Sequence, residues 1–156
     1  MKTDENEIDE NDLDTSSVSL FVRSETLNRN EVTELLGVEP TRAWNPGERH
    51  PISKDSTITR VVDWGQWQLK IYDNRSSVEF KIQKLFQQCT SNLEAWRTLR
   101  AKYEVWLTVG VYPDDWHSES TLSPETLLLL VERQLPLEWG TYYFGHGTFN
   151  TESEVP

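Results

Sequence analysis

Three histidines, His50, His117 and His146, lie far apart in the chain and make no HxxxH, HExxH or His-x-His pair. A zinc site with ligands on one local element has no basis here, and no metal is expected. Asp114-Asp115-Trp116-His117 is the single acid–histidine cluster, with carboxylates and an imidazole that could serve as hard ligands or a general base. Placed after a strand and Pro113, it reads as the solvated tip of a loop. Gly145-His146-Gly147 lacks both the third glycine and helix of a dinucleotide loop and the Gly-Lys-Ser/Thr of a P-loop. It reads as a flexible strand exit. Cys89, the only cysteine, falls between Phe86 and Leu93 on an apolar helical stripe, where a thiol is buried filler. No Gly-x-Ser-x-Gly elbow occurs. These residues support no catalytic assignment and no cofactor, and the chain leans away from being an enzyme.

Binding chemistry has better candidates. Between Pro40 and Ser56, three prolines and a glycine stiffen a long irregular stretch that holds Arg42, Trp44, Arg49 and His50. Long loops in small domains are usually functional, and Arg and Trp are the side chains richest in binding hot spots. As a ligand site, Arg42 and Arg49 would hold an anionic group while Trp44 or Trp64 packs its apolar part. As structure, Trp44 would cover the core and Arg42 would pair with an acid such as Glu39. A second candidate surface joins the acids Asp114, Asp115, Glu119 and Glu138 to Trp116, Trp139 and Tyr142. Trp67 and Trp96 fit apolar faces and belong in the core. Trp106 and Tyr112 share the other face of their strand. If Tyr142 and Phe144 lie there too, that face is an exposed aromatic platform of the kind that marks a partner or ligand site.

The elements that must position these residues follow from periodicity. Val18, Leu20 and Val22 alternate in a half-buried strand over 17–23. Asn28 caps a short helix, with Glu31 as its capping-box partner and Gly37 as its stop. Two strands, 57–62 and 64–72, read as a hairpin. Val78, Ile82, Leu85, Phe86, Cys89, Leu93, Trp96 and Leu99 mark one buried face of a long helix, opened by a Ser76–Glu79 capping box and weakened near Thr90 to Asn92. A strand over 103–112 follows, then a helix capped by Ser123 with Pro124 in its first turn, then an aromatic strand over 137–144. The starts of the first and third helices echo one another, as if two strand–helix–strand units were related. Strands that alternate apolar with polar residues expose one face to water. The expectation is an α+β fold with helices on one face of a mainly antiparallel, ferredoxin-like sheet of about five strands, in the order β-α-β-β-α-β-α-β.

The chain has 156 residues and a net charge of −11. That length suits one domain, expected over 16–150, between an acidic disordered tail at 1–15 and a short tail at 151–156. Residues 1–15 hold seven acids against Lys2 alone, residues 76–103 are net positive, and residues 104–156 hold nine acids against Arg133. A lone cysteine excludes an internal disulfide and suits a reducing cytoplasm. No apolar run approaches the ~20 residues of a membrane span, and Met-Lys-Thr-Asp-Glu is no signal segment. Nucleic acid is disfavoured by charge and by missing motifs.

Leu36-Gly37-Val38-Glu39-Pro40-Thr41-Arg42-Ala43-Trp44, then Gly47 and Trp64-Gly65-Gln66-Trp67, resembles the pattern of the bacterial family called domain of unknown function 4279. Leu122-Ser123-Pro124 and Tyr142-Tyr143 fit its closing portion, so the resemblance covers residues 17 to 144. It implies a small bacterial α+β domain and carries over no catalytic residues. Size, acidity, the absence of catalytic motifs and the aromatic face together lead to an expected function. The chain would be a protein-interaction module of the immunity or antitoxin type that neutralises a partner protein, such as a basic toxin domain. A homodimer is a further arrangement the sequence allows. The alternative is a small anionic-ligand-binding domain, or a minor enzyme, built on the 40–56 loop.

Overall fold

A computed structural model of the chain describes residues 16–73, 76–113 and 119–142. Its centre is β1 (Ser16–Ser24), where alternation of apolar and polar residues produces a strand with one fully buried side. β1 runs antiparallel to β5 (Gly65–Asp73) on one side and to β6 (Glu104–Val111) on the other. Leu20 therefore sits between Leu69 and Leu107, and Val22 between Trp67 and Val105. β2 (Arg42–Trp44) extends the sheet antiparallel to β5, and β7 (Leu137–Thr141) extends it parallel to β6. The result is an α+β fold with a mixed five-stranded sheet of order β2-β5-β1-β6-β7.

The stretch expected to be an irregular loop after Pro40 contains β2 and then β3 (Arg49–Pro51). β3 pairs with β4 (Thr59–Val61) in a separate ribbon. The expected hairpin of β4 with β5 does not form, because both edges of β5 are taken by β1 and β2. Thr41 reinforces the second pairing, its N–H donating to Gln68 O and its Oγ1 accepting from Lys70 N.

The helices α1 (Arg29–Leu36), α2 (Val78–Gln88), α3 (Leu93–Lys102) and α4 (Pro124–Arg133) bury Val32, Leu36, Ile82, Leu85, Phe86, Trp96, Leu99 and Leu130 against one side of the sheet. α2 and α3 are the long helix of the sequence, broken between Gln88 and Leu93 as the poor helix formers there predict. The element order thus carries two more strands and one more helix than expected. α4 is the crossover that a parallel β6–β7 pair requires.

Two caps differ from expectation in an instructive way. Asn28 caps α1 and Gly37 ends it in the left-handed region, at φ 69°. Glu31, however, accepts from Tyr103 Oη at 2.6 Å and pairs with Lys102, tying α1 to the end of α3. Ser77, not Ser76, caps α2, and the Glu79 carboxylate, which accepts from Gln83 of its own helix at 3.2 Å, also reaches the start of α4. There its carboxylate accepts from Ser123 N at 3.0 Å and from Thr126 Oγ1 at 2.9 Å. Both glutamates serve a neighbouring element, because a carboxylate that satisfies donors on two elements also fixes how they pack. Lys81 is also unlike a solvated helical lysine. It is fully buried, and its Nζ donates to Ser16 O and Oγ at 2.9 and 2.6 Å.

Among the described residues no helix is long and apolar enough to cross a membrane.

Candidate functional site

The side of the sheet away from the helices carries the other alternate residues of each strand, and no helix covers it. On β1 these are Ser17, Ser19, Phe21 and Arg23. Cross-strand register sets Phe21 beside Trp106 of β6, and the two rings stack at 5.2 Å between centroids with 17° between planes. This pair is the middle of an aromatic line across the face.

At one end of that line Tyr112 and Tyr142 stack at 5.3 Å. The two rings lie over Gly110 and Gly140, which face each other across β6 and β7. A Cβ at Gly140 would come within 2.9 Å of the Tyr142 ring, and one at Gly110 within 3.0 Å of Tyr112 Oη. The glycines are the floor on which the rings can lie flat.

At the other end, Trp44 is buried and its Nε1 donates to Trp64 O at 3.2 Å. Its ring is tilted against Trp64 at 5.5 Å and against His50 of the ribbon at 4.7 Å. Gly65 lets these elements meet, since a Cβ there would lie 2.9 Å from Trp44 O and 2.7 Å from Leu27 Cβ.

Charge is distributed unevenly over this surface. Arg23 lies 3.8 Å above the Trp64 ring, Arg42 lies 4.9 Å from Trp44, and Lys70 lies 5.4 Å from Tyr72. Among the described residues none of these three cations has a carboxylate partner. Each cation–π contact is worth about 0.5–1 kcal/mol at such exposed sites and leaves the outward guanidinium or ammonium edge for a partner. The β6–β7 half carries Glu104 and Glu138 on this same face, both exposed, Glu104 opposite Arg23 of β1 and Glu138 opposite Thr108. The face is therefore basic on the β2–β5–β1 half and acidic on the β6–β7 half, with the Phe21–Trp106 pair at the boundary.

The sequence-predicted residues divide accordingly. Arg42 and Trp44 lie on this face, where Arg42 stacks on Trp44 instead of pairing with Glu39. Trp44 packs in a small cluster with Trp64 and His50, outside the main core. Arg49 is on the exposed ribbon opposite Val61. Tyr142 is on the open face, but Trp139 is beside Val109 on the helix side, so the two do not form one surface. Asp114, Asp115 and Trp116 lie outside the described residues, as do His117, Phe144, Gly145-His146-Gly147 and both expected tails. The sequence reading misses Phe21 and Arg23, though their parity opposite Val18, Leu20 and Val22 and the matching position of Trp106 carry the signal.

Chemically, the face offers flat aromatic surface and charged hydrogen-bond donors, and among the described residues it shows no nucleophile–base pair. Cys89 is buried, which pushes its thiol up to about 12 and keeps it protonated at neutral pH. Among the described residues no cluster of three His, Cys, Asp or Glu could hold a metal ion.

The family model described as Domain of unknown function (DUF4279) matches residues 14–144, and the chain belongs to that family. No curated protein and no solved structure matches it.

Proposed function

We propose that this DUF4279 chain is a non-catalytic protein-interaction module of the immunity or antitoxin type, which binds and neutralises a partner protein through its open sheet face. The observation that carries this reading is the aromatic surface of Phe21–Trp106 and Tyr112–Tyr142 on a face with a basic half and an acidic half. Large rings flanked by charge are the composition of binding hot spots, where the rings supply affinity and the charges supply orientation and on-rate. A partner with the opposite layout fits best. Its basic patch would meet Glu104 and Glu138, and its carboxylates would meet the forks of Arg23 and Arg42.

A cytoplasmic setting agrees with the lone buried thiol. The finer ferredoxin-like description of the fold is supported by helices on one face and by strand–helix–strand units at both ends of the chain. The parallel β6–β7 pair departs from a purely antiparallel sheet.

The test is neutralisation. The chain is co-expressed with a toxic protein encoded beside its gene, and growth is followed. Wild type restores growth. Phe21→Ala with Trp106→Ala, and separately Arg23→Glu, abolish rescue while circular dichroism stays native. Full rescue by these folded variants would remove the open face as the docking surface. A homodimer built on this face would show instead as a change in sedimentation that the same variants reverse.

A further inference from the structure

On the helix side of the sheet, Arg133 at the end of α4 is 5% exposed, a burial that arginine tolerates only with compensation. Its Nη1 donates to Leu129 O at 3.1 Å, while its Nε is buried with no hydrogen-bond partner. The guanidinium carbon lies 4.7 Å from the Phe86 ring and 5.4 Å from the Trp96 ring. Among the described residues one carboxylate oxygen reaches ion-pair range, Glu132 Oε2 at 4.0 Å. The nearby Cys89 thiol supplies no negative charge, being held protonated by burial. A cationic side chain is thus held by two rings, one carbonyl and a single carboxylate at the limit of ion-pair range.

Arg133 lines a cleft of about 270 Å³ with Gln83, Phe86 and Gln87 of α2 and with Glu125 and Leu129 of α4. Glu125, Leu129 and Arg133 are spaced by four residues, so they form one stripe roughly 12 Å long at the helical rise. Helical side chains lean toward the N-terminus, which turns Arg133 back along the cleft toward Leu129. The cleft therefore has a cationic inner end, an apolar wall of Phe86 and Leu129, and a carboxylate two turns away.

We propose that this cleft binds a small monocarboxylate with an apolar body, its carboxylate on the Arg133 guanidinium and its body along Phe86 and Leu129. The carboxylate gives the guanidinium a closer anionic partner than Glu132, which reaches it only at 4.0 Å. Glu125 disfavours a second negative charge at the far end. The site lies on the opposite side of the sheet from the docking face and does not depend on that reading.

Thermal unfolding of the full chain with hexanoate, adipate, hexan-1-ol or inorganic phosphate tests it. Hexanoate at about ten times its half-saturating concentration raises the midpoint by about 4 °C. Hexan-1-ol and phosphate leave it unmoved, and adipate binds at least roughly tenfold more weakly, a penalty that Glu125→Gln removes. Arg133→Met abolishes the hexanoate response. If that variant does not fold, amide chemical-shift titration of the wild type decides, with shifts expected at Gln87, Leu129 and Arg133. No hexanoate effect, an equal effect in folded Arg133→Met, the whole shift reproduced by phosphate, or amide shifts elsewhere would each overturn the proposal.

Discussion

One sheet supplies two surfaces with opposite energetics. Toward the helices, Val18, Leu20 and Val22 are completely buried, as are Trp67 and Trp96, and each indole N–H is satisfied, by Thr33 Oγ1 and by Thr90 O. Burial of one such aliphatic or aromatic side chain stabilises the fold by about 1.5–3 kcal/mol. Away from the helices, Phe21, Trp106, Tyr112 and Tyr142 are held by one another, and a stacked pair contributes about 0.5–1.5 kcal/mol beyond its burial. Equally large side chains thus do unequal amounts for stability. The difference leads to the expectation that the open-face aromatics cost the fold less when removed than the helix-side ones, as the proposed docking role requires.

The contrast can be broken most directly with paired tryptophan truncations. Trp67→Ala should cost about 3–5 kcal/mol in urea unfolding, by cavity formation and loss of the Thr33 bond. Trp106→Ala should cost less, about 1–3 kcal/mol, from its partial burial and the lost Phe21 stack. Equal losses would mean that the two faces form a single core.

Glycine substitutions sharpen the same comparison at lower energy. Gly65→Ala forces Cβ against Leu27 Cβ and the Trp44 carbonyl and should cost about 1–3 kcal/mol. Gly140→Ala meets only the Tyr142 ring, which can swing away. It should cost under about 1 kcal/mol and show mainly as lost near-ultraviolet dichroism from the Tyr112–Tyr142 stack. A double-mutant cycle on Phe21 and Trp106 should then return a coupling of about 0.5–1.5 kcal/mol.

The smallest expected effect is on acid stability, and it belongs to the helix side alone. Hydrogen bonds from Ser123 and Thr126 hold the Glu79 carboxyl below its ordinary 4.5, and Lys102 and Tyr103 do the same for Glu31. A carboxyl lowered in the folded state contributes stability that is present above 4.5 and lost as pH falls through its folded value. The urea midpoint should therefore decline below about pH 4.5, and Glu79→Gln should flatten that decline. Open-face variants should leave the profile unchanged in shape.

Periodicity revealed β1, β5, β6, the broken α2–α3 helix and α4, because each buries one continuous stripe and the stripe is written in local spacing. It could not reveal that β4 would pair with β3, since partner choice depends on which sheet edges are already filled. Nor could it reveal that Glu31 and Glu79 would leave their capping boxes, because Tyr103 and Ser123 reach them only after the helices dock. Arg42 and Trp44 stood out by residue type, yet their stacking required knowing that β2 joins the sheet. Arg133 was legible in principle, since Thr126, Leu130 and Arg133 recur at helical spacing on the buried side. A charged residue on that stripe reads as charge and not as core.

The position of β1 also bears on how the chain comes to be folded. Of the described strands it leaves the ribosome first, yet Ser16 finds its neighbours only at Asp73 and Val111. Until both have been synthesised, Val18, Leu20 and Val22 have no partners and the strand has two open edges. Pairings that distant in sequence make folding slow and leave a sticky intermediate during synthesis. The newly made chain therefore passes through a stage in which its most buried strand is its most exposed.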